Sequence, residues 1–177
     1  MVFLFLHLHI IILTLFCSAV AMIDTNLALV CHSELHSLDN NSNDDSNQIE
    51  LVSRLMRNSK LSSSSLWKLL QQICNKFSSN VINNALQMCC IDSYNDNDHD
   101  NILTLLLQEA ANSAYDNSTL ILLSWCMSPS SSPSKPEIIS KCLKKCKEKT
   151  RLFNCLSTLS SKLPADIRNN VHMFVKQ

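Results

Sequence analysis

The sequence predicts an all-α protein, a disulfide-stabilised bundle of short amphipathic helices. Three observations predict it. Apolar residues recur at helical spacing in one segment after another. Glycine is absent from all 177 residues, where average usage of about 7% would supply roughly a dozen, and the tight turns that join β-strands lean on it. Of the nine cysteines, eight lie downstream of an apolar leader, an even set of the kind exported chains use for cross-links.

The leader is residues 1–21, MVFLFLHLHIIILTLFCSAVA, which lacks Lys and Arg and ends in Ala19-Val20-Ala21. That small-x-small ending predicts a secretory signal peptide removed after Ala21. An uncleaved anchor is the competing reading, since about 20 apolar residues just span a bilayer. With Cys17 lost, the cysteines left are Cys31, Cys74, Cys89, Cys90, Cys126, Cys142, Cys146 and Cys155. Residues 22–177 are expected to form a single disulfide-rich helical domain.

In chain order, residues 22–36 hold a short apolar patch, Leu27, Leu29, Val30 and Cys31, expected to be helical. Residues 38–47, LDNNSNDDSN, read as an exposed acidic loop in which Asn40 heads a glycosylation sequon. Residues 48–58 set Ile49, Val52, Leu55 and Met56 on one helical side. The serine run 62–65 then caps a stronger helix, with Leu66, Leu69, Leu70, Ile73, Cys74 and Phe77 in period and Trp67 beside them. Val81, Ile82, Ala85, Leu86 and Cys89 repeat that pattern, so these two helices are expected to pair as a hairpin. Cys90, about 100° round from Cys89, should reach a different element.

Residues 92–100, DSYNDNDHD, form an acidic loop, and Asp100 or Asn101 should cap a helix that buries Leu103, Leu106, Leu107 and Ala110. Asn117 heads a second sequon, and the apolar run 120–127 follows at once. A buried start to that run would argue against a sugar on Asn117. SPSSSPS at 128–134 is read as a surface loop within the domain.

Residues 136–155 are expected to organise the rest. Ile138, Ile139, Cys142, Leu143 and Cys146 share a helical face, while Lys141, Lys144, Lys145, Lys147 and Lys149 cover most of the remainder. Cys142 and Cys146 should point the same way, and so pair with Cys74, Cys89, Cys90 or Cys126 instead of each other. Leu152, Phe153, Leu156 and Leu159 make a further apolar segment, and a last helix starts at Pro164 with Ile167, Val171, Phe174 and Val175 inward. Charge divides along the same boundary: residues 22–133 carry a net of minus seven and residues 134–177 a net of plus seven.

Several chemistries are excluded. Without glycine there is no phosphate-cradling loop, dinucleotide fingerprint or nucleophile elbow. A calcium loop starting at Asp96 puts Asn101 where glycine belongs and Leu107 where a bidentate Glu belongs. Cys31, His32, Glu34 and His36 bring two histidines one turn apart, but HExxH and CxxC are both missing, so no metal is expected. No nucleophile has a readable base and orienting group, hence no enzyme and no cofactor.

Cys142-x3-Cys146-x8-Cys155 resembles the spacing of the last three cysteines of an insulin or relaxin A chain over 14 residues, but Lys141 stands where that family's adjacent cysteine would be and no B-chain-like cysteine pair lies upstream, so no family is read from it. The expected function is binding of an extracellular protein or receptor, as a secreted ligand or effector, with Lys141, Lys144, Lys145, Lys147 and Lys149 as the contact face. A sulfated glycan or anionic lipid would suit the same charge. Nucleic acid is excluded, because the cluster lacks interleaved aromatics and arginines. The alternative is a lipid-binding or membrane-interacting carrier that resembles saposins, which needs more apolar surface than the core consumes.

Overall fold

The computed structural model describes residues 44–57, 61–94, 101–113, 116–129 and 132–159, together with Ile11, Ile12, Thr14 and Ser33. Among the described residues there are seven α-helices and no strand. They are α1 (Asp45–Met56), α2 (Ser63–Lys76), α3 (Ser79–Leu86), α4 (Ile102–Asn112), α5 (Asn117–Met127), α6 (Lys135–Lys145) and α7 (Lys149–Leu159), with a π-helical turn, Gln87–Asp92, following α3. The expected signal peptide cleavage site, the helix at 22–36 apart from Ser33, Cys31, Asn40 and the helix beginning at Pro164 lie outside the described residues.

Short polar side chains start five of these helices, each accepting from a backbone N–H that the helix leaves unbonded. Asp44 takes Ser46 N at 3.1 Å, Ser62 takes Ser65 N at 3.3 Å and Ser78 takes Val81 N at 3.4 Å. Asn101 takes Leu103 N at 3.0 Å and Asp116 takes Thr119 N at 2.8 Å. Because Asp44 is a competent cap, α1 begins at Asp45, inside the segment expected to be loop. Where they end, Phe77, Ser113, Ser128 and Cys146 turn to extended backbone, and no described residue has a positive φ.

α4 is the centre of the bundle, with α2, α6, α7 and the π turn all packed on it. Its sequence, ILTLLLQEAAN, is apolar on several sides, so Leu103, Leu106, Leu107, Ala110 and Ala111 can all be buried by different neighbours. The 136–155 stretch therefore does not organise the fold but lies across α4. α3 rests chiefly on α1, since the apolar face of α2 is taken up by α4 and α5, so α2 and α3 do not form the simple hairpin expected. One core cluster runs from Val52 to Cys155 and draws on residues from both sides of the Ser/Pro-rich loop.

Two local features depart from the sequence reading. At the end of α3 the helix widens to i→i+5 bonding, with Cys89, Cys90 and Ile91 all buried. α6 stops at Lys145. Cys146 sits beyond it with its N–H donated to Cys142 O at 3.0 Å and Leu143 O at 3.2 Å, and α7 starts three residues later. Among the described residues, no helix is long and apolar enough to cross a membrane.

Candidate functional site

The corner between α6 and α7 separates its chemistry cleanly. Ile138, Ile139, Cys142 and Leu143 face the core, as their spacing predicts, and Cys146, beyond the helix end, is buried as well. Lys144, Lys145 and Lys147 stand exposed around the turn. Lys141, half-buried, pairs with Glu137 at 3.3 Å one turn earlier, and Arg151 pairs with Glu148 at 3.6 Å. The side chain of Lys149 lies outside the described residues. The basic face is thus a turn flanked by two helix ends, with Lys144 and Lys145 in the last turn of α6, where its dipole favours positive charge.

A further lysine behaves quite differently. Lys135 is only 3% exposed. Its ammonium donates to Trp125 O at 2.6 Å, Ser128 O at 3.2 Å and Ser128 Oγ at 3.2 Å, and lies 4.4 Å from the centroid of the Trp125 ring. It caps the C-terminus of α5 and pins both ends of the Ser/Pro-rich loop together. Burial lowers its pKa, with the neighbouring Cys126 opposing that shift.

The described cysteines are all buried, and no two of their sulfurs stand at disulfide distance. Cys89 and Cys90 are hydrogen-bonded at 3.5 Å. That bond and burial hold the Cys90 thiol well above its ordinary pKa, and Cys126 and Cys142 lie close enough to raise it further. Burial pushes Cys126 up to about 12, against the pull of Lys135. Cys142 approaches Asn101 Oδ1 at 3.8 Å, which places it at the N-terminus of α4. Cys74 lies apart beside Ser118 and Asp116, its pKa raised by burial to about 11. Thiols held this high are protonated at neutral pH and are poor nucleophiles.

The second sequon opens α5. Asn117 is exposed, whereas Ser118 and Thr119 are buried, the buried start that argues against a sugar being attached to this turn once it is folded. Thr119 Oγ1 hydrogen-bonds Asp116 Oδ1 at 2.9 Å and Ser113 Oγ at 3.2 Å, and Gln71 Nε2 holds the other Asp116 oxygen at 2.6 Å. Sequence reasoning missed Lys135 and this lock on Thr119. Asp immediately before Asn-Ser-Thr is a capping signal that could have revealed the second, while one lysine among the many basic residues of 134–177 gives no sign of burial. His32, Glu34, His36 and His99 lie outside the described residues, among which no group of three His, Cys, Asp or Glu could hold a metal ion. Compared with family models, curated proteins and solved structures, the chain has no match.

Proposed function

We propose that the chain is a secreted protein that acts by binding an extracellular protein partner through the lysine-bearing turn between α6 and α7. The observation that carries this reading is the separation at that turn: its apolar and sulfur-bearing residues are buried, while Lys144, Lys145 and Lys147 are exposed. Clustered positive charge on a fixed scaffold accelerates encounter with an acidic patch and selects against basic ones. The apolar leader and the even cysteine set support export.

Export also supports cross-linking of the eight cysteines of residues 22–177. Of the candidates for Cys142, which are Cys74, Cys89, Cys90 and Cys126, this reading favours Cys90 and Cys126, the two thiols whose electrostatics Cys142 influences. A peptide map under non-reducing conditions tests this. Linked peptides containing Cys142 and either Cys90 or Cys126 are expected, and eight thiols that all react with a blocking reagent in denaturant would end the disulfide reading.

Lys144→Glu with Lys145→Glu tests the binding face. Cell-surface binding of the labelled protein is expected to weaken on the order of tenfold or more, through a slower association rate. Binding that is unaltered by the double reversal would remove the face from consideration. Capture by anionic vesicles as tight as by cells, abolished by moderate salt, would favour the carrier reading instead. Against that reading, the large apolar side chains described in α1–α7 are buried in one shared core or packed against it.

A further inference from the structure

We propose that Asn117 carries an N-linked oligosaccharide that can be added only before the domain folds, because folded α5 presents the asparagine and withholds the threonine that makes it a sequon. This rests on the secreted reading above and adds to it a modification with a fixed place in time.

Asn117, Ser118 and Thr119 form the first turn of α5. The asparagine side chain is exposed, so a sugar there would lie outside the bundle and displace no core residue. Thr119 is the reverse, with 0% exposure. Its hydroxyl is committed to Asp116 Oδ1 at 2.9 Å and Ser113 Oγ at 3.2 Å, and its N–H to the same Asp116 oxygen at 2.8 Å. Asp116 is itself fixed by Gln71 of α2 at 2.6 Å. The lock thus joins the α4–α5 connection to a third helix, and Asn117 takes no part in its bonds.

The chemistry needs what the lock holds. An oligosaccharyltransferase binds Asn-x-Thr as an extended strand and recognises the hydroxyl of the third residue. The Asn117 amide nitrogen then attacks C1 of an oligosaccharide carried on polyprenyl diphosphate. The N–C1 bond forms, the C1–O bond breaks, the polyprenyl diphosphate leaves, and the amide proton passes to a base of the transferase. In the folded chain the tripeptide is helical and its hydroxyl is already bonded and buried, so neither recognition element is on offer. Added earlier, the sugar leaves every bond of the lock free to form afterwards.

The experiment compares the full chain in two states, with mass spectrometry of the peptide containing Asn117 as the readout. In one, the chain is translated into microsomes, where it meets the transferase while still unfolded. In the other, unglycosylated and fully folded protein is mixed with solubilised transferase and its polyprenyl-diphosphate donor, beside a synthetic peptide of residues 113–121 as the unfolded reference. Occupancy is expected in the translocated chain and in the peptide, with the folded protein modified at least tenfold more slowly than the peptide. Asp116→Ala removes both bonds to Thr119 and, as a lost cap, shifts local opening roughly fivefold, so the folded variant should be modified correspondingly faster. Folded wild-type protein modified as fast as the peptide would overturn the inference. So would a translocated chain bare at Asn117 while the peptide is modified. A chain left outside the microsomes and uncut after Ala21 would overturn the secreted reading together with this one, and the uncut leader distinguishes that result from the other two.

Discussion

Lys135 shows how far a single residue can depart from its type. A lysine is ordinarily a solvated charge, but here the ammonium replaces water with two carbonyls, a hydroxyl and the Trp125 ring. Hydrogen bonds from a charged donor contribute more than neutral ones, and here they tie the last turn of α5 to the start of α6. Lys135→Met, which keeps the aliphatic stem, is expected to cost about 2 kcal/mol in urea denaturation. Lys144→Met, at an exposed position, should stay within about 0.5 kcal/mol of wild type. Equal effects from the two substitutions would show that the clamp is not stabilising. Nothing adjacent to Lys135 in sequence marks it, because its partners come from the helix on the other side of the Ser/Pro-rich loop. The burial of Cys74, Cys89 and Leu143, by contrast, was legible from their place in a helical period.

Two helix starts were legible, as Ser62 and Asn101 carry their capping chemistry locally, while the caps at Asp44 and Asp116 went unread. Two other features were not legible. A π turn depends on which neighbours press against it, and the stop at Cys146 interrupts a pattern that would have continued on periodicity alone. The hub was misplaced for a different reason: charge and sulfur drew attention to 136–155, while centrality depends on being apolar in several directions, which ILTLLLQEAAN displays. Leu106, fully buried on α4, is the residue on which to test this. Leu106→Ala is expected to cost roughly 3 to 5 kcal/mol, and in hydrogen exchange the α4 amides should be the last to exchange. Amides of α6 outlasting those of α4 would contradict the assignment of the hub.

For the whole molecule, the buried thiols tie stability to alkali. Cys126 and Cys74 are raised from their ordinary 9.0 to about 12 and about 11 by burial. Above pH 9 the unfolded chain sheds these protons while the folded one keeps them. The stability they contribute is therefore complete below pH 9 and declines as pH rises, by about 1.4 kcal/mol per unit for each thiol. Lys135, shifted downward, acts in the opposite sense as pH approaches the lysine range. Fully reduced protein should thus lose stability steeply between pH 9 and pH 10.5 in denaturant titrations, and protein with these sulfurs in disulfides should not. A flat profile for the reduced chain would mean that its thiols are not held as they are here.

Among the described residues, no helix ends on a left-handed residue. No described position needs a residue lacking Cβ, and the unfolded chain never had the extra backbone freedom such residues bring. Each spares the fold roughly 0.4 to 1 kcal/mol of ordering entropy relative to a glycine at the same place. A chain of this composition can draw part of its stability from the poverty of its denatured ensemble.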